Sequence, residues 1–182
     1  FIAASIALSI VCGMAQSSVS KDVIREYADE RYEALFELYR HFHTHPELSF
    51  HEEKTSETIA GHLKDRGFEV TEKVGGHGVV GILKNGEGPT VLVRADMDAL
   101  PVREQTNLPY ASTVTTTNDD GTEVGVMHAC GHDIHMTVFL GTVDTLTHFK
   151  DHWKGTLLCI AQPAEEKGAG ARAMLADGLY ER

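Results

Sequence analysis

The chain has 182 residues, 42% of them hydrophobic, and carries 27 acidic against 16 basic side chains for a formal net charge of -11 at pH 7. That is enough apolar material for one folded domain with its own core. No Lys/Arg-rich block interrupts the acidic balance, which excludes nucleic acid and anionic membranes as partners.

The first 14 residues are nearly all apolar or small, and Gly13-Met14-Ala15 then gives way to the polar Gln16-Ser17-Ser18. This pattern reads as a secretory apolar segment with a small-residue cleavage site, too short to span a bilayer. The expected organisation is a signal peptide over residues 1–15, a linker over 16–21 and a folded region over 22–182. Export to the periplasm or exterior follows, with no membrane attachment after cleavage. In an oxidising compartment Cys12 leaves with the signal, so Cys130 and Cys159 remain, and a disulfide between them competes with metal ligation. The apolar run 156–161 around Cys159 favours a buried free thiol there.

Apolar residues near helical spacing (Val23, Tyr27, Tyr32, Leu35, Leu38, Phe42) predict one long amphipathic helix over 22–43, ended near Pro46. A second helix over 52–65 stops at Gly67 and is expected to pack on the first. Strands follow at 68–74 and 79–83, separated by a turn at Gly75-Gly76-His77-Gly78, and Asn85-Gly86 marks a hairpin-like reversal before a strand at 90–95. Val91-Leu92-Val93 reads as a central strand whose exit, Asp96-Met97-Asp98, sets two carboxylates where sites in α/β sheets collect. Residues 105–123 lack periodicity and read as a long surface loop. A helix over 133–149, a buried strand over 156–161 and a helix over 170–176 complete the pattern.

Met127-His128-Ala129-Cys130-Gly131-His132-Asp133-Ile134-His135 holds a thiol and several imidazoles in nine residues, with a glycine that lets the backbone fold tightly. Such a run suits a Zn²⁺-like ion. Gln162-Pro163-Ala164-Glu165-Glu166 supplies two carboxylates of different direction, so that Glu166 ligates while Glu165 moves a proton. Asp98 is placed to orient a ligating imidazole. His128 is either a third ligand or, the preferred reading, a hydrogen-bonding residue. His135 is open to ligand, helix-face or substrate-contact roles, and Asp96 is a candidate for contacts to substrate or to the ligands. The His41/His43/His45 group is read as structural, because helix geometry and Pro46 do not focus it on one point.

These blocks, in order, resemble the amidohydrolase branch of the M20 metallopeptidase family: His45-Pro46-Glu47-Leu48 with Glu53 and Thr55, Arg94-Ala95-Asp96-Met97-Asp98-Ala99-Leu100-Pro101, His128-Ala129-Cys130-Gly131-His132-Asp133 with His135, and Gln162-Pro163-Ala164-Glu165-Glu166 with Gly170-Ala171. The resemblance implies an α/β, zinc-peptidase-like catalytic domain with a central mixed sheet flanked by helices, present here as its N-terminal part. A lid domain that serves dimer formation and the C-terminal part, with two further histidine ligands, would lie outside the 182 residues. It also implies that Cys130, His132 and Glu166 bind one or two divalent ions (Zn²⁺, Mn²⁺ or Co²⁺), that Glu165 is the general acid/base, and that Asp98 orients an imidazole. Asp96 stands where the wider family has a metal-binding histidine, so ligation is not carried onto it. The implied activity is hydrolysis of N-acyl amino acids or similar small amides. The alternatives are a metal-dependent dipeptidase or aminoacylase and a non-catalytic metal-binding relative. The 182 residues alone are expected to be inactive.

Overall fold

The computed structural model describes residues 19–181, so the expected signal peptide and the first half of the linker lie outside the described residues. The elements run α1 (Lys21–Glu30), α2 (Tyr32–Thr44), α3 (Glu53–Asp65), β1 (Glu69–Val74), β2 (Gly78–Asn85), β3 (Thr90–Asp96), β4 (Thr115–Thr117), β5 (Glu123–Gly125), α4 (His132–His148), β6 (Gly155–Gln162) and α5 (Gly170–Ala176). The main sheet has the order β1-β2-β6-β3, with β2 antiparallel to β1 and β6, and β3 parallel to β6. It is the mixed α/β sheet that the sequence implies. No helix among the described residues is long and apolar enough to cross a membrane.

Period-two alternation along β6 places its residues in two layers. Leu157, Cys159 and Ala161 face the main core with Ile59, Leu63, Met136, Phe139 and Leu140 from α3 and α4. Leu158 and Ile160 face the opposite side, where Met174 of α5 packs with Val74 and Val80. Gly81 lets α3 close on β2, since a Cβ there would meet Leu63 and Phe68 at 3.0 and 3.2 Å. Cys159 is fully buried in this core and Cys130 is exposed; both are free thiols.

Four sequence expectations are corrected. The helix expected over 22–43 is divided at Arg31 (φ -89, ψ -6) into α1 and α2. Tyr27 stacks on His148 at the far end of α4 at 4.2 Å, while Arg31 reaches Asp144 at 3.5 Å. Second, α2 packs principally on α4, and meets α3 only through the shared core around Phe42 and Ile59. Third, β3 is an edge strand of the described sheet, with Val91 and Leu92 54% and 45% exposed, because β6 inserts between it and β2. The reversal after Asn85 is therefore real, but the strands it joins are not neighbours. Fourth, the loop over 105–123 contains a strand, β4, paired with β5 around the turn at Asn118–Gly121. Threonine is β-branched and suits a strand, yet a run of Thr shows no apolar alternation to read.

Asp144, buried on α4, joins three elements: it accepts hydrogen bonds from Arg66 Nε at 2.6 Å and His62 Nε2 at 2.7 Å, with Arg31 beyond. Burial works against its charge, but the His62 and Arg66 hydrogen bonds outweigh it and hold the carboxyl below its usual range. Asp144→Asn should cost about 3 kcal/mol of stability at neutral pH, as expected when one partner of a buried ion pair is removed. A depressed folded pKa stabilises above the unfolded value and loses that contribution as pH falls through the folded one. The gap between parent and variant, measured by urea unfolding, should therefore narrow below about pH 4. Equal stability at pH 7 would contradict this assignment.

Candidate metal centre

Three chain segments meet at the carboxyl ends of β3 and β6. β3 delivers Asp96 and, past the fully buried Met97, Asp98. Asp98 is 1% exposed and acts as the organising group. Its Oδ2 accepts from Ser49 Oγ at 2.6 Å and from the Glu166 N–H at 2.9 Å, while its backbone carbonyl accepts from His132 Nδ1 at 2.7 Å. Burial alone would raise its pKa, but the bonds from His132, Ser49 and the Glu166 and Glu165 amides hold it down at about 2.

α4 supplies the imidazoles. Gly131 takes φ +80 immediately before the helix, a left-handed conformation open to glycine at no steric cost, and so swings His132 to the first helical position. With Nδ1 committed to Asp98, a neutral His132 presents its Nε2 lone pair toward Glu165 Oε2 at 3.8 Å and Glu166 Oε1 at 4.0 Å. Burial opposes the charged form, but hydrogen bonds to Asp98 and the nearby Asp96 carboxylate raise His132 to about 9. This imidazole sits in a field that calls for positive charge. His135 stacks beside it with ring centroids 5.4 Å apart, and its Nδ1 lies 4.0 Å from Asp96 Oδ2.

β6 leads into Pro163-Ala164 and then to Glu165 and Glu166, whose side chains are 45% and 16% exposed. Glu166 Oε1 is a buried oxygen without a hydrogen-bond partner in the described structure. Single donor atoms from His132, Glu165 and Glu166 lie within 4.8 Å of one another, as do those of Asp96, His132 and His135. Both groups share His132. An unpartnered buried carboxylate oxygen, a lone pair fixed by its ring partner and an excess of acids together fit a divalent cation.

The remaining predicted residues fall around these donors. Cys130 is exposed beside Glu166; that carboxylate, with burial and the charges of Glu165 and Asp98 behind it, raises the thiol pKa. It stands outside both close donor groups. Asp96 is gripped by the Arg94 guanidinium, which also donates through Nε to Gln162 Oε1 at 2.8 Å, so its charge is already matched. His128 is 4% exposed with neither ring nitrogen bonded, so its hydrogen-bonding reading finds no partner among the described residues. Burial pushes its pKa down.

The sequence did not point to several residues that brace the site. Glu52 is fully buried and accepts the Ala164 N–H at 2.7 Å, whereas its neighbour Glu53, which the motif comparison favoured, is exposed. His43 bridges two carboxylates, Asp133 Oδ2 at 2.6 Å and Glu104 Oε1 at 3.1 Å, pinning the start of α4 to α2 and to the loop after β3. Burial favours neutral His43, but the two carboxylates win and raise its pKa. Only contacts far apart in sequence mark these residues, and no local spacing announces them.

Known proteins carry the same arrangement of sequence and fold. The chain is 46% identical over 149 residues to hippurate hydrolase of Campylobacter jejuni and 44% identical over 150 residues to N-acetylcysteine deacetylase of Bacillus subtilis, covering 81% and 80% of this chain. It superposes on the Bacillus subtilis YXEP protein, described as a dinuclear metal binding peptidase, with a TM-score of 0.69 and 38% identity over 88% of this chain. The chain spans 36% of the length of each of those two relatives and 41% of the solved structure. The model of peptidase family M20/M25/M40 matches residues 92–182, which carry Asp96, Asp98, Cys130, His132, Glu165 and Glu166. The chain belongs to peptidase family M20/M25/M40.

Proposed function

We propose that the protein is a metal-dependent amidohydrolase acting on N-acyl amino acids or similar small amides. The observation that carries this reading is the meeting of His132 Nε2 with one sheltered and one exposed carboxylate, Glu166 and Glu165. A purely structural metal site has no use for the second. In this reading His132 and Glu166 hold the ion, and Cys130, next to Glu166, joins them as a thiolate. A bound divalent ion lowers the pKa of water and polarises an amide carbonyl. Asp98 fixes the His132 ring and, through the Glu166 amide, the turn that carries both glutamates. Glu165, free to move at the surface, takes the proton of the attacking water and passes it to the departing amine nitrogen.

Zn²⁺, Mn²⁺ and Co²⁺ all suit this mixed donor set, with the thiolate favouring the softer ions. The small-amide substrate class is supported by the names of the relatives, one a hippurate hydrolase and one a deacetylase of N-acetylcysteine. Residues 22–182 are, on this reading, the N-terminal part of the catalytic domain of an exported enzyme. The test is hydrolysis of benzoylglycine, other N-acyl amino acids and dipeptides by the full-length natural protein, stripped of metal and then reconstituted with Zn²⁺ or Mn²⁺. Metal-restored turnover of N-acyl amino acids is the expected result. Cleavage of dipeptides alone would move the assignment to a dipeptidase, and turnover that survives chelation would sink it.

A further inference from the structure

Glu52 is an acid where burial gives acids no support. It is 0% exposed, and the described structure places no cation against it. One oxygen accepts the Ala164 N–H at 2.7 Å; the other has no hydrogen-bond partner, and the Asp98 carboxylate adds its repulsion. Burial raises the Glu52 pKa, as expected for a carboxyl so enclosed. A neutral side chain in this position costs far less than a charge, so what the site uses is the acceptor oxygen.

The recipient of that oxygen is unusual as well. Ala164 has φ +47, a left-handed conformation that costs a residue with a Cβ of order 1 kcal/mol and persists only where surroundings impose it. Ala164 is itself fully buried, and its carbonyl accepts from both Ala169 and Gly170. The turn is thus tied on both sides of one strained residue, and Glu165 and Glu166 come next in the chain. Glu52 is delivered by a segment anchored repeatedly to the same region: Leu48 bridges Ala99, Ser49 binds Asp98, and Glu47 caps α3 through the Lys54 and Thr55 amides.

We propose that Glu52 is a positioning residue of the metal centre: its carboxyl, through the Ala164 N–H, imposes the left-handed turn that aims Glu165 and Glu166 at His132. The inference rests on the metal-hydrolase reading for the roles of those two glutamates. It requires only an acceptor of the right length at position 52. Glu52→Gln therefore retains function, Glu52→Asp is too short to reach, and Glu52→Leu fills the space without the bond.

The test uses the full-length protein and measures Zn²⁺ affinity by competition with a chromogenic chelator, melting temperature without metal, and kcat and KM. E52L and E52D should weaken Zn²⁺ binding by about tenfold or more and lower kcat more than they change KM, the order of effect of losing a support behind a ligand. E52Q should stay within about threefold of the parent. Adding A164G to E52L should recover part of the lost affinity, because glycine enters the left-handed region without strain. A residue that merely fills the core would not respond to a glycine at 164. Folded E52L with parental affinity overturns the proposal, as does a loss equal in E52Q and E52L or one untouched by A164G. Should E52L fail to fold, the contrast between E52Q and E52D decides. Zn²⁺ binding that depends on Glu52 in a protein that hydrolyses no amide would overturn the hydrolase reading and uphold this one.

Discussion

Glu165→Gln should lower kcat by about three orders of magnitude, within the range expected for removing a general acid/base, while bound metal per chain stays unchanged. Glutamine keeps the size and the hydrogen bonding of the side chain but cannot take a proton. Glu165 is the more exposed of the pair, at 45% against 16% for Glu166, and so is free to follow the proton from water to amine. The comparison with Glu166→Gln separates the roles, since that change should lower metal affinity first. Metal analysis alongside single-turnover kinetics reads both effects. If Glu165→Gln loses metal and turnover together, the assignment of base and ligand is reversed.

The second large effect is expected at Asp98. Replacement by Ala leaves the Ser49 hydroxyl and the Glu166 amide without their acceptor and removes the carboxylate charge 3.4 Å from His132 Nδ1, although the backbone carbonyl that accepts from that nitrogen stays. Metal affinity should fall by about 10- to 100-fold, as it does when a group behind a metal-binding imidazole is lost. Buried donors left unpaired should cost a further 1–3 kcal/mol or so of stability in the metal-free protein. The sign with pH is fixed by the depressed pKa of about 2. Its contribution is full above the unfolded value of about 4 and disappears as pH falls toward 2, so the parent and the variant should converge in acid. Urea unfolding at several pH values checks this. A stability difference that widens on acidification would contradict it.

Much of this was legible in the chain before its fold was known, and the reason is locality. The limits of α5 and the strand over 156–161 come from apolar spacing and from Gly and Pro at the ends, all features within a few residues of one another. Asp96, Asp98, Cys130, His132, Glu165 and Glu166 stand out as candidates because each lies at a strand exit or in a dense run of donors. The hydrogen bond from His132 to Asp98 joins residues 34 positions apart, and that from the Ala164 N–H to Glu52 spans 112. Glu52 looks in sequence like an ordinary acid at the start of a helix. The division at Arg31 is hidden for a related reason: the apolar spacing over 22–43 runs straight across it, and the α4 residues that Tyr27 and Arg31 meet, His148 and Asp144, lie more than 100 positions later. The edge position of β3 depends on β6, which lies more than 50 residues later and takes the place beside β2.

The most direct test of the central claim is the anomalous diffraction of Zn²⁺ in crystals of the full-length protein. A peak is expected in the space bordered by His132 Nε2 and the Glu166 carboxylate, beside Cys130 and within reach of Glu165 through one water. A protein that binds Zn²⁺ only elsewhere, or shows no peak at saturating metal, would contradict it.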